Sequence, residues 1–168
     1  MLIGDRGRED GTRRAVGRSR GRARSDGMDE RRAAALERSS ERWLAWLRRD
    51  LAGRRPGEAL AGLWDLLDEW FSSDDFHASG LAAAMAGMTG NGGDATRRAV
   101  AAHRRALRQL LEDLAAADGA ADPAGLATQL HLLVEGAVVG ALIDRHPAVT
   151  RHARELTQIA LGGRTRWP

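Results

Sequence analysis

A chain of 168 residues is long enough for one domain with a substantial hydrophobic core. It contains no Cys, which excludes disulfides and thiolate metal sites and is compatible with a reducing cytoplasm; its 26 basic residues are all Arg. The net charge of +3 is unevenly spread, with 11 Arg against 7 acids in residues 1–40 and 15 against 16 in residues 41–168, so the basic character belongs to the N-terminal stretch and not to a basic folded surface.

The opening MLIGDRGRED lacks the apolar run of a signal peptide, and a cytoplasmic location is expected. Residues 1–28 are poor in hydrophobics and rich in Gly and Arg, a composition that predicts a disordered arm. Within it TRRAVGRSRGRAR carries six Arg and no acid, so it could touch nucleic acid through phosphates, or be only a solvated tail. From Asp29 to Leu51 the spacing turns helical, with Leu36, Trp43, Leu44 and Leu47 as the stripe and Gly53 and Pro56 as the stop. A second helix covers residues 56–72 and a third, after Ser73-Asp74-Asp75, covers Phe76 to about Met88. The turn TGNGGD separates these from a long helix running to Asp118, with His103, Leu107, Leu110, Leu111 and Leu114 inward and Gly119 as its end.

The most apolar stretch is Ala124–Asp144, AGLATQLHLLVEGAVVGALID. Asp122-Pro123 before it reads as a cap followed by proline at the first helical position. Interruption by Gln129, His131 and Glu135, and a length judged too short to span, argue against a membrane helix. One stripe (Leu130, Leu133, Ala137, Ala141) is expected to face the core, and a second (Val134, Val138, Leu142) to face outward. A last helix runs from His146-Pro147 to about Leu161, and 164–168 fray. Runs of strand formers are absent, so the fold class is all-α, a bundle of about six helices over residues 29–163.

The second stripe predicts a homodimer, a twofold four-helix bundle using Val134, Gly136, Val138, Gly140 and Leu142 of the central helix and Val149, Ala153 and Leu156 of the last. Gly136 and Gly140 would set the closest approach of the helices. An apolar or amphipathic ligand is expected where aromatic rings face small and flexible side chains, with Leu67, Phe71, Phe76, Met85, His103, Leu107 and His131 lining the space. His103 and His131 would be its few polar groups; no carboxylate or thiolate at metal-ligand spacing joins them, so neither a metal nor another cofactor is expected. His77, His146 and His152 read as surface. No nucleophile motif, phosphate-cradling loop or HExxH pair occurs, which argues against an enzyme.

ERSSERWLAWL, LLDEWFSSDDF, the segment from Val100 to Ile143 and HPAVTRHARELTQIAL resemble, in this order, the C-terminal regulatory domain of TetR-family transcriptional regulators, over about residues 35–161. The resemblance implies a helical effector-binding and dimerisation domain. Two departures qualify it. The family's N-terminal helix-turn-helix module has no counterpart in residues 1–34, which lack its apolar periodicity and turn glycine. After Phe76, where one subgroup carries a small Gly-Cys segment lining the effector pocket, this chain has HASGLAAAM, so no ligand preference carries over. The expected function is a TetR-like ligand-binding and dimerisation domain that does not read DNA alone. The alternatives are a dimerisation-only protein that modulates a full-length relative, and non-specific nucleic-acid binding through the Arg-rich arm.

Overall fold

The computed structural model describes residues 6–55, 57–78, 80–87, 92–144 and 148–162. These form seven helices and, among the described residues, no strand: α1 (Arg6–Leu51), α2 (Ala59–Phe71), α3 (Asp74–Ala78), α4 (Leu81–Met85), α5 (Asp94–Ala117), α6 (Pro123–Val139) and α7 (Val149–Gly162). The all-α class and the bundle are as the periodicity predicts. Met88, the turn Thr89–Asn91, His146 and the 164–168 end lie outside the described residues.

Two elements differ from the expectation. Helix α1 does not begin near Asp29 but at Arg6, so residues 6–28 form helix where a disordered arm was expected. The segment contains no proline, Arg is a good helix former, and the packed half of α1 already supplies the nucleus that an isolated helix lacks. The single helix expected after Phe71 is two short ones. Gly80 between them has φ 69°, a left-handed conformation that only glycine adopts without strain, and the chain turns there.

Helix α5 is fastened to its neighbours by a carboxylate at each end. At its start, Asp29 of α1 accepts from the Ala95 amide at 2.9 Å, the Thr96 amide at 3.3 Å and the Thr96 hydroxyl at 2.5 Å. These donors, the Thr96 hydroxyl foremost, hold the Asp29 carboxyl below its usual range. At its other end, Asp118 accepts from the amides of Gly57 (2.9 Å), Ala59 (3.3 Å) and Leu60 (2.9 Å), satisfying the first turn of α2 from outside it. Glu58, the residue preceding α2, makes no side-chain cap of its own. Asp118→Ala is therefore expected to cost about 1–2 kcal/mol, a fall in melting temperature of about 2–4 °C per kcal/mol, checked by thermal denaturation.

The core runs from Leu47 of α1 through Leu60, Leu63, Trp64 and Leu67 of α2 and Leu107 and Leu111 of α5 to Leu130, Val134 and Val138 of α6. Helix α7 closes it over α2: the Trp64 indole donates to Thr157 Oγ1 at 2.9 Å, Thr150 Oγ1 donates to Asp68 at 2.7 Å, and Arg154 pairs with Asp65. Helix α6 starts as expected, with the Asp122 carboxylate accepting from the Gly125 amide at 2.9 Å and Pro123 in the first turn. It continues past Val139 as one π-helical turn, Gly140–Asp144.

The two faces of α6 are not distributed as the sequence suggests. Val134 and Val138, expected to look outward, are both fully buried, and Ala153 of α7 is buried with them. Leu142, Val149 and Gly140 are half-buried, and only Gly136 and Leu156 of the expected interface stand exposed. A Cβ at Gly140 would lie 3.3 Å from Val149 Cγ2 of the same chain, so this glycine sets the approach of α7 to α6. Among the described residues, the large apolar side chains that face solvent are Met28 of α1 (55% exposed) and, on this side of the bundle, Leu132 (65%), Ile143 (61%), Leu156 (49%) and Ile159 (59%). Leu132, Gly136 and half-buried Val139 of α6 and Ile143 of the π turn follow one another at spacings of three and four and form one stripe. Length does not exclude a membrane helix, contrary to the expectation from the sequence: Pro123–Ile143 spans 21 residues with mean hydropathy 1.7, long and apolar enough to cross a membrane by length and composition. Within the chain it packs on α5 and α7, and Glu135 lies beside Arg104 and His131.

Candidate ligand-binding site

The expected lining residues come from α2, α3, α4, α5 and α6, and they pack tightly as rings and aliphatic side chains beside α1. Trp43 of α1 lies on Trp70 of α2 with centroids 5.1 Å apart; Trp70 meets Phe76 of α3 edge-on at 4.9 Å, and Phe71 lies 5.0 Å from Phe76. Leu67, Phe76, Met85 and Leu107 are within the buried core, and Phe71 is packed against it. Trp64 stands apart from this ring cluster, tied to α7 through Thr157.

The polar side of the same region is built from α5 and α6. His103 is buried and stacks near Trp43 with centroids 5.6 Å apart, and its Nδ1 shares a 2.8 Å hydrogen bond with Ser40 Oγ of α1. His131 Nε2 lies 3.2 Å from Glu135 Oε1, one helical turn along α6, and Arg104 Nε of α5 lies 2.6 Å from the same oxygen. A neutral His131 must carry its proton on Nε2 to face that carboxylate, which leaves Nδ1 as a bare acceptor. Burial pushes His103 down to about 4, and the nearby His131 and Arg104 add to the shift. His131 is also lowered, chiefly by burial, with Glu135 opposing and Arg104 and Arg108 reinforcing. Both imidazoles are therefore neutral at pH 7.

Several polar atoms here are left without a hydrogen-bond partner from the chain. Trp43 Nε1, Trp70 Nε1, His103 Nε2 and His131 Nδ1 are buried and make no hydrogen bond, and Glu135 Oε1 makes none of good geometry although Arg104 and His131 lie within ion-pair distance of it. Buried polar atoms of native proteins are overwhelmingly paired, with the chain or with ordered water, so four on neighbouring side chains mark a place where water or a bound molecule can supply the complement. Two clefts reach the cluster from opposite sides of α1. One, of about 290 Å³, is walled by Trp43, Trp46 and Trp70; the other, of about 400 Å³, is lined by Ser40, Leu44, Ala99 and His103. The Trp43–His103 contact stands between them.

Sequence reasoning named His103, His131, Phe71 and Phe76 for the site, but did not place Trp43, Trp46 or Trp70 in it and missed Ser40, Arg104 and Glu135 as the histidines' neighbours. The His131–Glu135 spacing of four on a helix was a usable signal. The Ser40–His103 pairing spans 63 positions and leaves no local trace. His77 and His152 are exposed as expected. Among the described residues no three His, Asp or Glu side chains are placed to hold a metal ion together. No protein-family model, curated protein or solved structure matches this chain.

Proposed function

We propose that this chain is a small-ligand-binding and dimerisation domain of the kind found C-terminally in TetR-family regulators, non-catalytic and without a DNA reader of its own. The observation that supports it best is the aromatic–histidine centre, in which four buried polar atoms on neighbouring side chains lack partners while two clefts approach them. An apolar or amphipathic molecule with a small number of polar atoms suits such a centre. The continuity of α1 from Arg6 to Leu51 bears on the DNA reading: residues 6–28 are one helix, with no turn to set a recognition helix against a supporting one. Contacts from Arg side chains to phosphates would carry no sequence information.

The homodimer belongs to the same reading, with its face moved. The stripe of exposed Leu132 and Gly136 and half-buried Val139 on α6 and exposed Ile143 in the π turn, with Leu156 and Ile159 of α7, takes the place of the interface drawn from Val134, Val138 and Ala153. Only 33% of the apolar window over α6 is buried within one chain, which leaves apolar surface for a second copy to cover. The dimerisation-only alternative is favoured by one observation, that Leu67, Phe76, Met85 and Leu107 are filled in by their own neighbours. A melting-temperature screen of apolar and amphipathic compounds separates the two. A concentration-dependent rise with at least one class supports ligand binding, and the absence of any rise with an intact dimer leaves dimerisation alone. Selection from random duplex DNA is expected to enrich no sequence; an enriched palindrome bound at physiological salt would overturn that part.

A further inference from the structure

Helix α1 carries a feature that neither the core nor the aromatic–histidine centre uses. Its arginines recur in register: Arg6, Arg13 and Arg20 return eighteen residues on as Arg24, Arg31 and Arg38, and again as Arg42 and Arg49. Eighteen residues are five turns, so these eight positions do not drift around the helix and stand in one line about 65 Å long. We infer that this line holds the phosphate backbone of a single-stranded nucleic acid, without reading its bases. It does so whether or not a small molecule enters the bundle.

The line runs along the back of α1. Leu36, Trp43 and Leu47, which enter the core, lie on the opposite side of the helix, and Arg24, Arg31, Arg38, Arg42 and Arg49 are all exposed. Thirteen register positions make up this face from residue 6 to residue 49: the eight Arg, Glu9, and Gly17, Gly27, Ala35 and Ala45. The small residues between the arginines cannot hold a polymer away from them. A face that is only solvated mixes both signs of charge. Here Glu30, Glu37 and Glu41 of the same helix stand about a quarter turn away. Arg24, Arg31, Arg38 and Arg42 make no ion pair with any described residue, while Arg49 lies 2.8 Å from Asp50.

Charge and shape choose the partner. The guanidinium fork matches phosphate oxygens, and residues 41–168 carry 15 Arg against 16 acids, so no comparable excess of basic charge lies elsewhere. None of the thirteen positions holds an aromatic side chain on which a base could stack, or a large apolar one to enter a lipid surface. The backbone is then the whole contact. A duplex winds its phosphates around its axis, one turn in about 34 Å, so a straight line of about 65 Å crosses each strand only about twice. A single strand is flexible enough to follow the line from end to end. It would lay on the order of ten nucleotides along it and bring about seven phosphates to arginine at once.

The test is fluorescence anisotropy of a labelled twenty-nucleotide oligothymidylate with the full chain over a series of salt concentrations. With about seven phosphates neutralised, the logarithm of affinity should fall against the logarithm of salt concentration with a slope of about 5. The variant Arg31→Gln/Arg38→Gln/Arg42→Gln changes three exposed positions beyond the Arg-rich residues 1–28. It should stay folded by circular dichroism, lower the slope to about 3 and weaken binding about a hundredfold at about 50 mM salt. A control losing the same charge from other helices, Arg98→Gln/Arg105→Gln/Arg151→Gln, also exposed, should keep the slope of about 5. Equal losses in the two variants would make net charge the cause and not alignment. An unaffected first variant would confine binding to residues 1–28. Either result overturns the inference, as does a strand that fails to bind. A duplex of the same length bound more tightly than the strand, or phosphatidylserine vesicles bound while the strand is not, overturns it in favour of that other surface.

Discussion

Val134→Asp is expected to leave the chain unfolded, and Leu132→Asp, two residues away on the same helix, to leave it folded and monomeric. Val134 is fully buried in the apolar core that also holds Leu130 and Val138, between α6 and its neighbours α5 and α7. A carboxylate there must stay charged in an apolar core or take up a proton at a pH well above its usual range, and either cost is about 4 kcal/mol or more. That approaches the whole stability of a marginal domain, about 5 kcal/mol. Leu132 is 65% exposed, so its replacement changes the stability of a single chain by no more than about 0.5 kcal/mol. If α6 pairs with its twofold mate, however, two leucines are lost and two like charges are brought together. Dimer affinity should then fall at least about a hundredfold. Circular dichroism and sedimentation velocity on the two variants give the answer. A folded, monomeric Val134→Asp chain with an unperturbed Leu132→Asp dimer would restore the interface drawn from the sequence and reject the one drawn from the structure.

That pair of residues also shows how far the sequence could be read. Helix existence was legible wherever apolar residues recur at 3.6 spacing against polar ones, as in α2 and α5, because one face alone satisfies the pattern. In α6 almost every position from Leu130 to Ile143 is apolar or glycine, so periodicity cannot say which side faces the core. The choice is made by α5 and α7, whose side chains meet Val134 and Val138 and leave Leu132 and Ile143 bare. The caps divide the same way. Asp122 is local, three residues before the amide it accepts from, and was visible. Asp29 and Asp118 cap helices about 60 positions away, and nothing in the adjoining sequence marks them as caps. The site follows this rule: its rings and histidines were recognisable by residue type, whereas Ser40 and Arg104 became partners only through the packing of α1 and α6 on α5.

Acidification from neutral pH to about 4 is expected to cost the fold about 3 kcal/mol through His103 alone. The ordinary value of an exposed imidazole is 6.5, and burial, with the adjacent His131 and Arg104, pushes His103 down to about 4 in the folded chain. The unfolded chain therefore takes up its proton first. Stability is unaffected above pH 6.5, falls as the pH drops through the interval down to about 4, and stops falling from this source below it. His131 adds a loss of the same sign beginning at the same upper limit, reduced because Glu135 favours its protonated form. Asp29 also titrates in the destabilising direction, but its folded value lies below 3.8, so its contribution is lost only beyond the acid end of this window. Urea unfolding at a series of pH values measures the slope directly. His103→Gln keeps a side chain able to bond Ser40 Oγ but removes the titrating group, and should flatten the acid limb by up to about 1.4 kcal/mol per pH unit. A wild type equally stable at both ends of the window, or a Gln variant with an unchanged slope, would show that His103 is reached by solvent and charged in the folded state. The apolar centre described around Trp43 and Trp70 would then be an open, wet cleft, with no unmatched buried nitrogen left to hold a ligand.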